Sequence, residues 1–351
     1  MNVKEPNIVV VGATGAVGRE FLRILEERDF PAGEIRLLAS SRSAGTRFKV
    51  RGEDLEVREA SPNEFSGADI AFISVNSQLS AQLGPAAVEA GALVIDDSSC
   101  FRMDPDVPLV VPEVNGEDVK WHRGIISIPN CSTTPLVMVA HPLNRESAIT
   151  RMVVSTYQSV SGAGAGAMEE LRNQSRAVLE GQTVEPGNLP KQIAFNIFPH
   201  IDDFTANGYT FEEQKMLQET RKIMHIPHIP VSSTCVRVPV FGAHSAAVHL
   251  EFQGPISPER ATELLSGMPG VKVVGGPGES SYPTPWEVAG TDDVYVGRIR
   301  RDISSDHGLA MWIVCDNLRK GAALNAIQIA EEVLRLNCLA PSQVAAPSRS
   351  V

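Results

Sequence analysis

Through the first part of the chain, short β-rich apolar runs alternate with amphipathic stretches. Residues 7–11 (NIVVV) form one run, and Phe21, Leu22, Ile24 and Leu25 then recur at helical spacing until Pro31. Residues 35–39, 69–75 and 93–97 read as further strands, and residues 76–90 as a loop and a helix. Near-continuous apolar strands that alternate with helices predict a parallel, doubly wound sheet, buried on both faces. Residues 48–57, centred on Arg51-Gly52-Glu53-Asp54, predict a small antiparallel excursion. Residues 125–128 form one more apolar strand. A helix is expected just beyond Cys131, with Pro135 in its first turn, where a missing N–H costs nothing.

From Arg151 the pattern changes. Residues 152–160 predict a strand that breaks into Ser161-Gly162-Ala163-Gly164-Ala165-Gly166-Ala167, a hinge or a place where a ligand lies against bare backbone; beside a nucleotide-binding half the ligand reading is preferred. A helix is expected over 168–182 and a Pro/Gly loop over 183–189. Thr210-Phe211-Glu212-Glu213 spells a capping box for a helix that runs to about His225. Glu212 and Lys215, three apart on that helix, read as a surface ion pair. Residues 246–252, 271–274, 294–300 and 309–315 are strand-like, Ser257-Pro258-Glu259 starts a helix, and a last helix follows Asp316–Ala323 and runs to about Leu336. Pro239 cannot sit inside a ladder, so a bulge or an edge is expected there. A lone histidine such as His244 is usually structural; the alternative is that its small neighbours leave the ring accessible as an acid or base. Arg298, Arg300 and Arg301 read as a solvated strand face.

Composition narrows the function. The 351 residues are 43% hydrophobic and 21% charged, with a formal net charge of −11, which suits a globular protein and opposes a nucleic-acid surface. No apolar run reaches membrane length. Residues 1–6 lack a basic-then-apolar leader, and the five cysteines show no metal-ligand or CxxC spacing. Reduced thiols, a cytoplasmic location and no metal are therefore expected.

Two stretches carry chemistry. Gly12-Ala13-Thr14-Gly15-Ala16-Val17-Gly18 stands between a strand and a helix, where glycines let a pyrophosphate approach and the helix start offers N–H donors. The spacing is G-x-x-G-x-x-G rather than the strict dinucleotide fingerprint, and a tight packing turn is the alternative reading. After the next strand come Ser41 and Arg42 in place of an acid, which suits a 2′-phosphate and so NADP. Asn76 and Arg102 follow other strand ends, where such sheets gather ligands. Cys131 stands at the start of a helix, where free N–H groups and the dipole favour a thiolate nucleophile.

Six motifs in order resemble bacterial-type aspartate-semialdehyde dehydrogenase: residues 12–18, 106–115, 129–134, 158–164, 237–245 and 316–323. The resemblance covers nearly the whole chain. It implies an NADP-binding Rossmann-like domain over residues 1–130 plus 318–340, an α+β catalytic and dimerisation domain over 131–317, and a flexible tail over 341–351. It implies NADPH-dependent reductive dephosphorylation of L-aspartyl 4-phosphate to L-aspartate 4-semialdehyde, on the route to lysine, threonine and methionine. Cys131 is then the nucleophile, His244 the acid/base and Gln158 the substrate-orienting group. Arg237 holds the substrate carboxylate and Glu212 its amino group, and Arg102 and Lys215, with Asn130 nearby, hold the phosphate. Gly12 to Val17, Ser41, Arg42, Asn76, Ser161, Gly162 and Asn317 contact NADP. The assembly implied is a homodimer or a tetramer, with no nucleic-acid or membrane partner. Two rivals remain: N-acetyl-γ-glutamyl-phosphate reductase, whose cysteine motif is typically Gly-Cys-Tyr, and a non-catalytic NADP-binding protein.

Overall fold

The structure, a computed structural model, describes residues 5–276 and 280–341. It divides into two compact units, residues 1–130 with 322–351 and residues 131–321.

The first unit is built on strands β1 (Ile8–Val11), β2 (Ile35–Ala39), β3 (Arg47–Val50), β4 (Glu53–Glu59), β5 (Ile70–Ile73), β6 (Leu93–Asp96) and β7 (Ile125–Ser127), in the order β3-β4-β2-β1-β5-β6-β7. All pairs are parallel except β3 with β4, so the expected antiparallel excursion forms the edge of a parallel sheet. Side chains alternate between the faces of a strand, and β1 feeds both cores. Ile8 and Val10 join α1 (Ala16–Glu27) and α9 (Leu324–Arg335) on one face. Val9 and Val11 join α2 (Ser77–Glu89) on the other. This double burial is why β1, β5 and β6 read as unbroken apolar runs. Strand order reverses about β1, flanked by β2 and β5, so ligands are expected at the carboxyl end of β1. A four-residue helix, α3 (Pro112–Asn115), precedes β7. The tail predicted over 341–351 lies outside the described residues, apart from Pro341.

The second unit carries α4 (Thr133–Glu146), β8 (Ile149–Gln158), α5 (Ala165–Leu179), α6 (Phe211–Ile223), β9 (Val231–Arg237), β10 (His244–Phe252), α7 (Pro258–Ser266), β11 (Val271–Val274), α8 (Pro285–Val288), β12 (Val294–Arg301) and β13 (Gly308–Cys315). Its mixed sheet runs β11-β12-β13-β10-β8-β9. The capping box of α6 forms as expected: Thr210 Oγ1 accepts from the Glu213 N–H, and Glu213 Oε2 accepts from the Thr210 N–H. Glu213 Oε1 also accepts from the Cys235 N–H at 3.0 Å, which ties the start of α6 to β9.

Some expectations need correction. Pro239 sits inside no strand: it lies in the connection to β10, just past β9, which ends at Arg237 and is the edge strand of the sheet. The small-residue stretch is mostly structured, as a single turn at Val160–Ala163 followed by α5, which starts three residues before the expected Met168. No helix among the described residues is long and apolar enough to cross a membrane.

Candidate active site

In the first unit, Gly12, Ala13, Thr14 and Gly15 form the turn between β1 and α1, and Ala16 and Val17 open the helix. Gly12 has φ +86°, and a Cβ there would lie 2.1 Å from the Ser74 carbonyl oxygen, so only glycine fits. A Cβ on Gly18 would lie 2.2 Å from the Gly12 oxygen, so α1 begins directly against the turn. The N-cap of α1 is Gly15, and no side chain caps the helix. Bare backbone and uncapped N–H donors fit a pyrophosphate. Ser41 and Arg42 sit exposed in the turn after β2, which holds no acid. Asn76 is the N-cap of α2, its Oδ1 accepting from the Leu79 N–H at 2.9 Å, so part of its amide serves the helix.

Beyond β6, Arg102 is buried and its Nη2 donates to the Asp97 carbonyl at 2.7 Å. Burial pushes the Asp97 carboxyl up to about 6, against the opposing pull of Arg102 and of the Ser74 hydroxyl, which donates to Asp97 Oδ2 at 3.0 Å. Asn130 is buried and closes the first segment of this unit.

In the second unit, strand register gathers the candidates at one end of the sheet. Parallel pairing sets Gln158, the last residue of β8, opposite Arg237, the last of β9. His244 opens β10, which runs antiparallel to β8, and lies opposite Cys315 at the end of β13, two residues before Asn317. Main-chain bonds between Phe198 and Arg237, at 2.9 and 3.2 Å, cover the free edge of β9.

Cys131 is half-buried in the turn before α4, whose N-cap Ser132 makes no side-chain capping bond. A Cβ on Gly321 would come within 3.0 Å of Cys131 Cβ, so glycine keeps that flank clear. Gln158 Nε2 donates to Ser132 Oγ and, at 3.0 Å, to Glu212 Oε1. Both amide hydrogens are committed, and Gln158 is fixed beside the residue that follows the thiol. Lys215 Nζ donates to Glu212 Oε2 at 3.3 Å and to Asp202 Oδ2 at 2.7 Å. The expected surface pair is thus a three-membered cluster, and Glu212 is only 6% exposed. α6 packs on β9, which turns the first turn of the helix inward.

The Arg237 guanidinium is 6% exposed, and its Nη1 donates to the Ser159 carbonyl at 2.7 Å. Burial draws its pKa down, while Glu212 and Cys131 pull the other way. The His244 ring is 4% exposed rather than accessible, because the turn at Val160–Ala163 and the end of β9 close over it. Its Nδ1 accepts from the Ser159 N–H at 3.1 Å and lies 2.9 Å from Ser159 Oγ. Burial, and then the Arg237 charge, lower its pKa to about 3. Ser159 Oγ and Ser161 Oγ both donate to Asn317 Oδ1, at 3.2 and 2.9 Å. A Cβ on Gly162 would meet His244 Nε2 at 3.0 Å and Arg237 Nη1 at 3.3 Å. Burial pushes the Cys235 and Cys315 thiols well up, so neither competes as a thiolate.

Sequence reasoning missed Asp202, Ser132 and Ser159. Ser132 had a signal, since it follows the cysteine at a helix start. Asp202 had none, because a loop brings it to Lys215.

Residues 7–122 match the family model described as semialdehyde dehydrogenase, NAD binding domain, and residues 141–320 match semialdehyde dehydrogenase, dimerisation domain. Fold and domain matches together define an NAD(P)-dependent oxidoreductase. The aspartate-semialdehyde dehydrogenase of Aquifex aeolicus (strain VF5) is 52% identical over 332 residues, covering 93% of this chain and 98% of the relative. The crystal structure of aspartate semialdehyde dehydrogenase II complexed with ASA from Vibrio cholerae superposes with a TM-score of 0.92 at 45% identity, covering 95% of this chain and 99% of that one. The aspartate semialdehyde dehydrogenase with NADP from Candida albicans has a TM-score of 0.73 at 28% identity, covering 95% and 99%. The chain belongs to the aspartate-semialdehyde dehydrogenase family.

Proposed function

We propose that this enzyme reduces L-aspartyl 4-phosphate to L-aspartate 4-semialdehyde and phosphate through a thioester on Cys131, in the pathway to lysine, threonine and methionine. The observation that carries this reading is the convergence of Gln158, Arg237 and His244 at one sheet end, with Gln158 bonded to Ser132 next to the thiol. The Vibrio cholerae relative's complex with ASA supports the substrate assignment. NADPH as the reductant is supported by the acid-free turn with Ser41 and Arg42, and by the Candida albicans relative solved with NADP. Asn76, Ser161, Gly162 and Asn317 complete the proposed cofactor contacts. A match to a dimerisation domain over 141–320 supports a homodimer, and family membership supports a cytoplasmic enzyme.

The Cys131 thiolate forms a bond to the acyl carbon, and the bond from that carbon to the phosphate oxygen breaks, so phosphate departs with the electron pair. The cofactor supplies the hydride that reduces the thioester. The carbon–sulfur bond then breaks, the thiolate is restored and the aldehyde leaves. Covalent catalysis divides one hard step into two. Arg237 binds the substrate carboxylate and Glu212 its ammonium. Arg102 and Lys215, with Asn130, meet the phosphate. Gln158 orients the acyl group, and His244 supplies a proton-bearing nitrogen to the acyl oxygen.

The test is Cys131→Ala, assayed by phosphate-dependent reduction of NADP with aspartate semialdehyde, with NAD run alongside. Turnover should vanish while NADPH binding persists. A variant that keeps a substantial share of its activity overturns the thioester.

A further inference from the structure

We propose that Asp202 is a positioning residue that competes with phosphate for the Lys215 ammonium and so sets how tightly phosphate is held. This inference deepens the reading of Lys215 as a phosphate-binding group and rests on it. Lys215 Nζ donates to Asp202 Oδ2 at 2.7 Å and to Glu212 Oε2 at 3.3 Å. The two carboxylates differ in what they can tolerate. The Glu212 side chain is 8% exposed, and its other oxygen accepts from Gln158 Nε2 at 3.0 Å. The Asp202 side chain is 37% exposed, so water can take over its carboxylate when the ammonium leaves. Asp202 is therefore the partner that Lys215 exchanges.

The pair is preset by the loop before α6. Asp202 has φ +66°, a conformation uncommon for a residue with a side chain. Its Oδ1 accepts from the Asp203 N–H at 2.9 Å, which leaves Oδ2 for Lys215. The loop is closed onto the helix, since the Phe211 N–H donates to the Asp203 carbonyl at 2.9 Å and the Thr205 N–H to the Tyr209 carbonyl at 2.7 Å. These bonds fasten Asp202 to the turn that carries Glu212 and Lys215. Burial acts to raise the Asp202 carboxyl, yet the Lys215 hydrogen bond and charge hold it below its ordinary range.

A phosphate that reaches Nζ meets an ammonium already engaged with two carboxylates. Displacing Glu212 would strand a buried charge, which is the costlier exchange. Displacing Asp202 sends an exposed carboxylate into water. Lys215 lines an open groove beside Phe211 and Gln214, so its flexible stem has room to change partner. The returning Asp202 carboxylate then competes for the ammonium and repels the phosphate. That suits an anion which must leave in every turnover. Without Asp202 the same lysine would hold phosphate more tightly.

The test follows inorganic phosphate on the full-length enzyme in two ways. One is the rise in melting temperature with phosphate at constant ionic strength, and the other is the KM for phosphate in the NADP-reducing assay. Asp202→Asn keeps a residue that tolerates the left-handed backbone and turns an amide toward Lys215. It should bind phosphate about tenfold more tightly by both measures, the worth of one charged hydrogen bond. Asp203→Asn makes the same change in net charge next door and should leave phosphate affinity unchanged. In a Lys215→Ala background Asp202→Asn should have no effect, because Asp202 acts through the ammonium. Unchanged or weaker phosphate binding in Asp202→Asn overturns the proposal, and so does a gain that survives in Lys215→Ala. If Lys215→Ala alone binds phosphate as the wild type does, the reading of Lys215 fails and takes the proposal with it.

Discussion

Gly162 separates the two groups on which the proposed site depends, so adding one methyl there is a sharp perturbation. Its φ is not positive, so alanine meets no backbone penalty, and any effect is one of space. The new Cβ would sit 3.0 Å from His244 Nε2, 3.2 Å from its Cε1 and 3.3 Å from Arg237 Nη1. Ordinary contacts of this kind lie at about 3.5–4.0 Å, so one partner must give by a few tenths of an ångström. Neither moves freely, because the Ser159 N–H holds the ring and the Ser159 carbonyl holds the guanidinium. Overpacking of this kind costs about 1–3 kcal/mol of stability. A displacement of a few tenths of an ångström at the proposed reacting groups should lower kcat/KM by up to about 10-fold, given about 100-fold for 1 Å. The assay is phosphate-dependent NADP reduction, with kcat and KM for aspartate semialdehyde measured apart and folding checked by thermal melting. Gly242→Ala is the control, since its Cβ would meet only Ala289 Cβ, at an ordinary 3.7 Å, and its activity should stay within about twofold if packing alone decides the outcome. A folded Gly162→Ala enzyme with wild-type kcat/KM would refute the geometry argued for His244 and Arg237.

Arg42→Ala should cut the preference for NADP over NAD by about 10- to 100-fold, the worth of a charged hydrogen bond of about 1.5–3 kcal/mol; unchanged ratios of kcat/KM for the two cofactors would remove Arg42 from the 2′-phosphate site. Asp97→Asn tests a pH effect. The folded carboxyl titrates near 6, above its ordinary value of about 3.9. The folded state therefore holds more protons between these values, and stability falls as pH rises through the window. The penalty is complete above pH 6 and has a ceiling of about 3 kcal/mol. The asparagine variant should be flatter than wild type between pH 4 and 6 in urea unfolding, and more stable at pH 8. Parallel pH profiles would refute the assignment.

How much of this was legible depended on the range of the interaction. The strands of the first unit were legible because a parallel sheet buries both faces and leaves unbroken apolar runs such as Ile8–Val11. The α6 capping box was legible because its two partners lie three residues apart. The short helices α3 and α8 were missed, although each opens on a proline at its first position, a recognised start signal. The cluster of Lys215 with Asp202 was not legible, because a loop supplies one of its members. The burial of His244 was left open by its small neighbours, which suit either a structural or an accessible ring. Those small residues let the backbone turn at Val160–Ala163 approach closely, which covers the ring instead of opening it.

The same geometry bears on how an acidic protein would bind the anionic substrate proposed here. Lys215 is shared by Glu212 and Asp202, so its charge is already balanced. Burial and the Arg237 charge weigh against a charged His244 ring. The Arg237 side chain has no carboxylate at ion-pair distance among the described residues, and its one hydrogen bond there goes to a neutral carbonyl. A buried guanidinium paired only in this way carries a desolvation cost that an arriving carboxylate offsets. The guanidinium has five donors and commits one, so a flat carboxylate can still dock on two others. Net charge is therefore a poor guide to what this surface attracts. In the proposed site a desolvated cation at the end of β9 would count for more, and strand register sets it opposite Gln158.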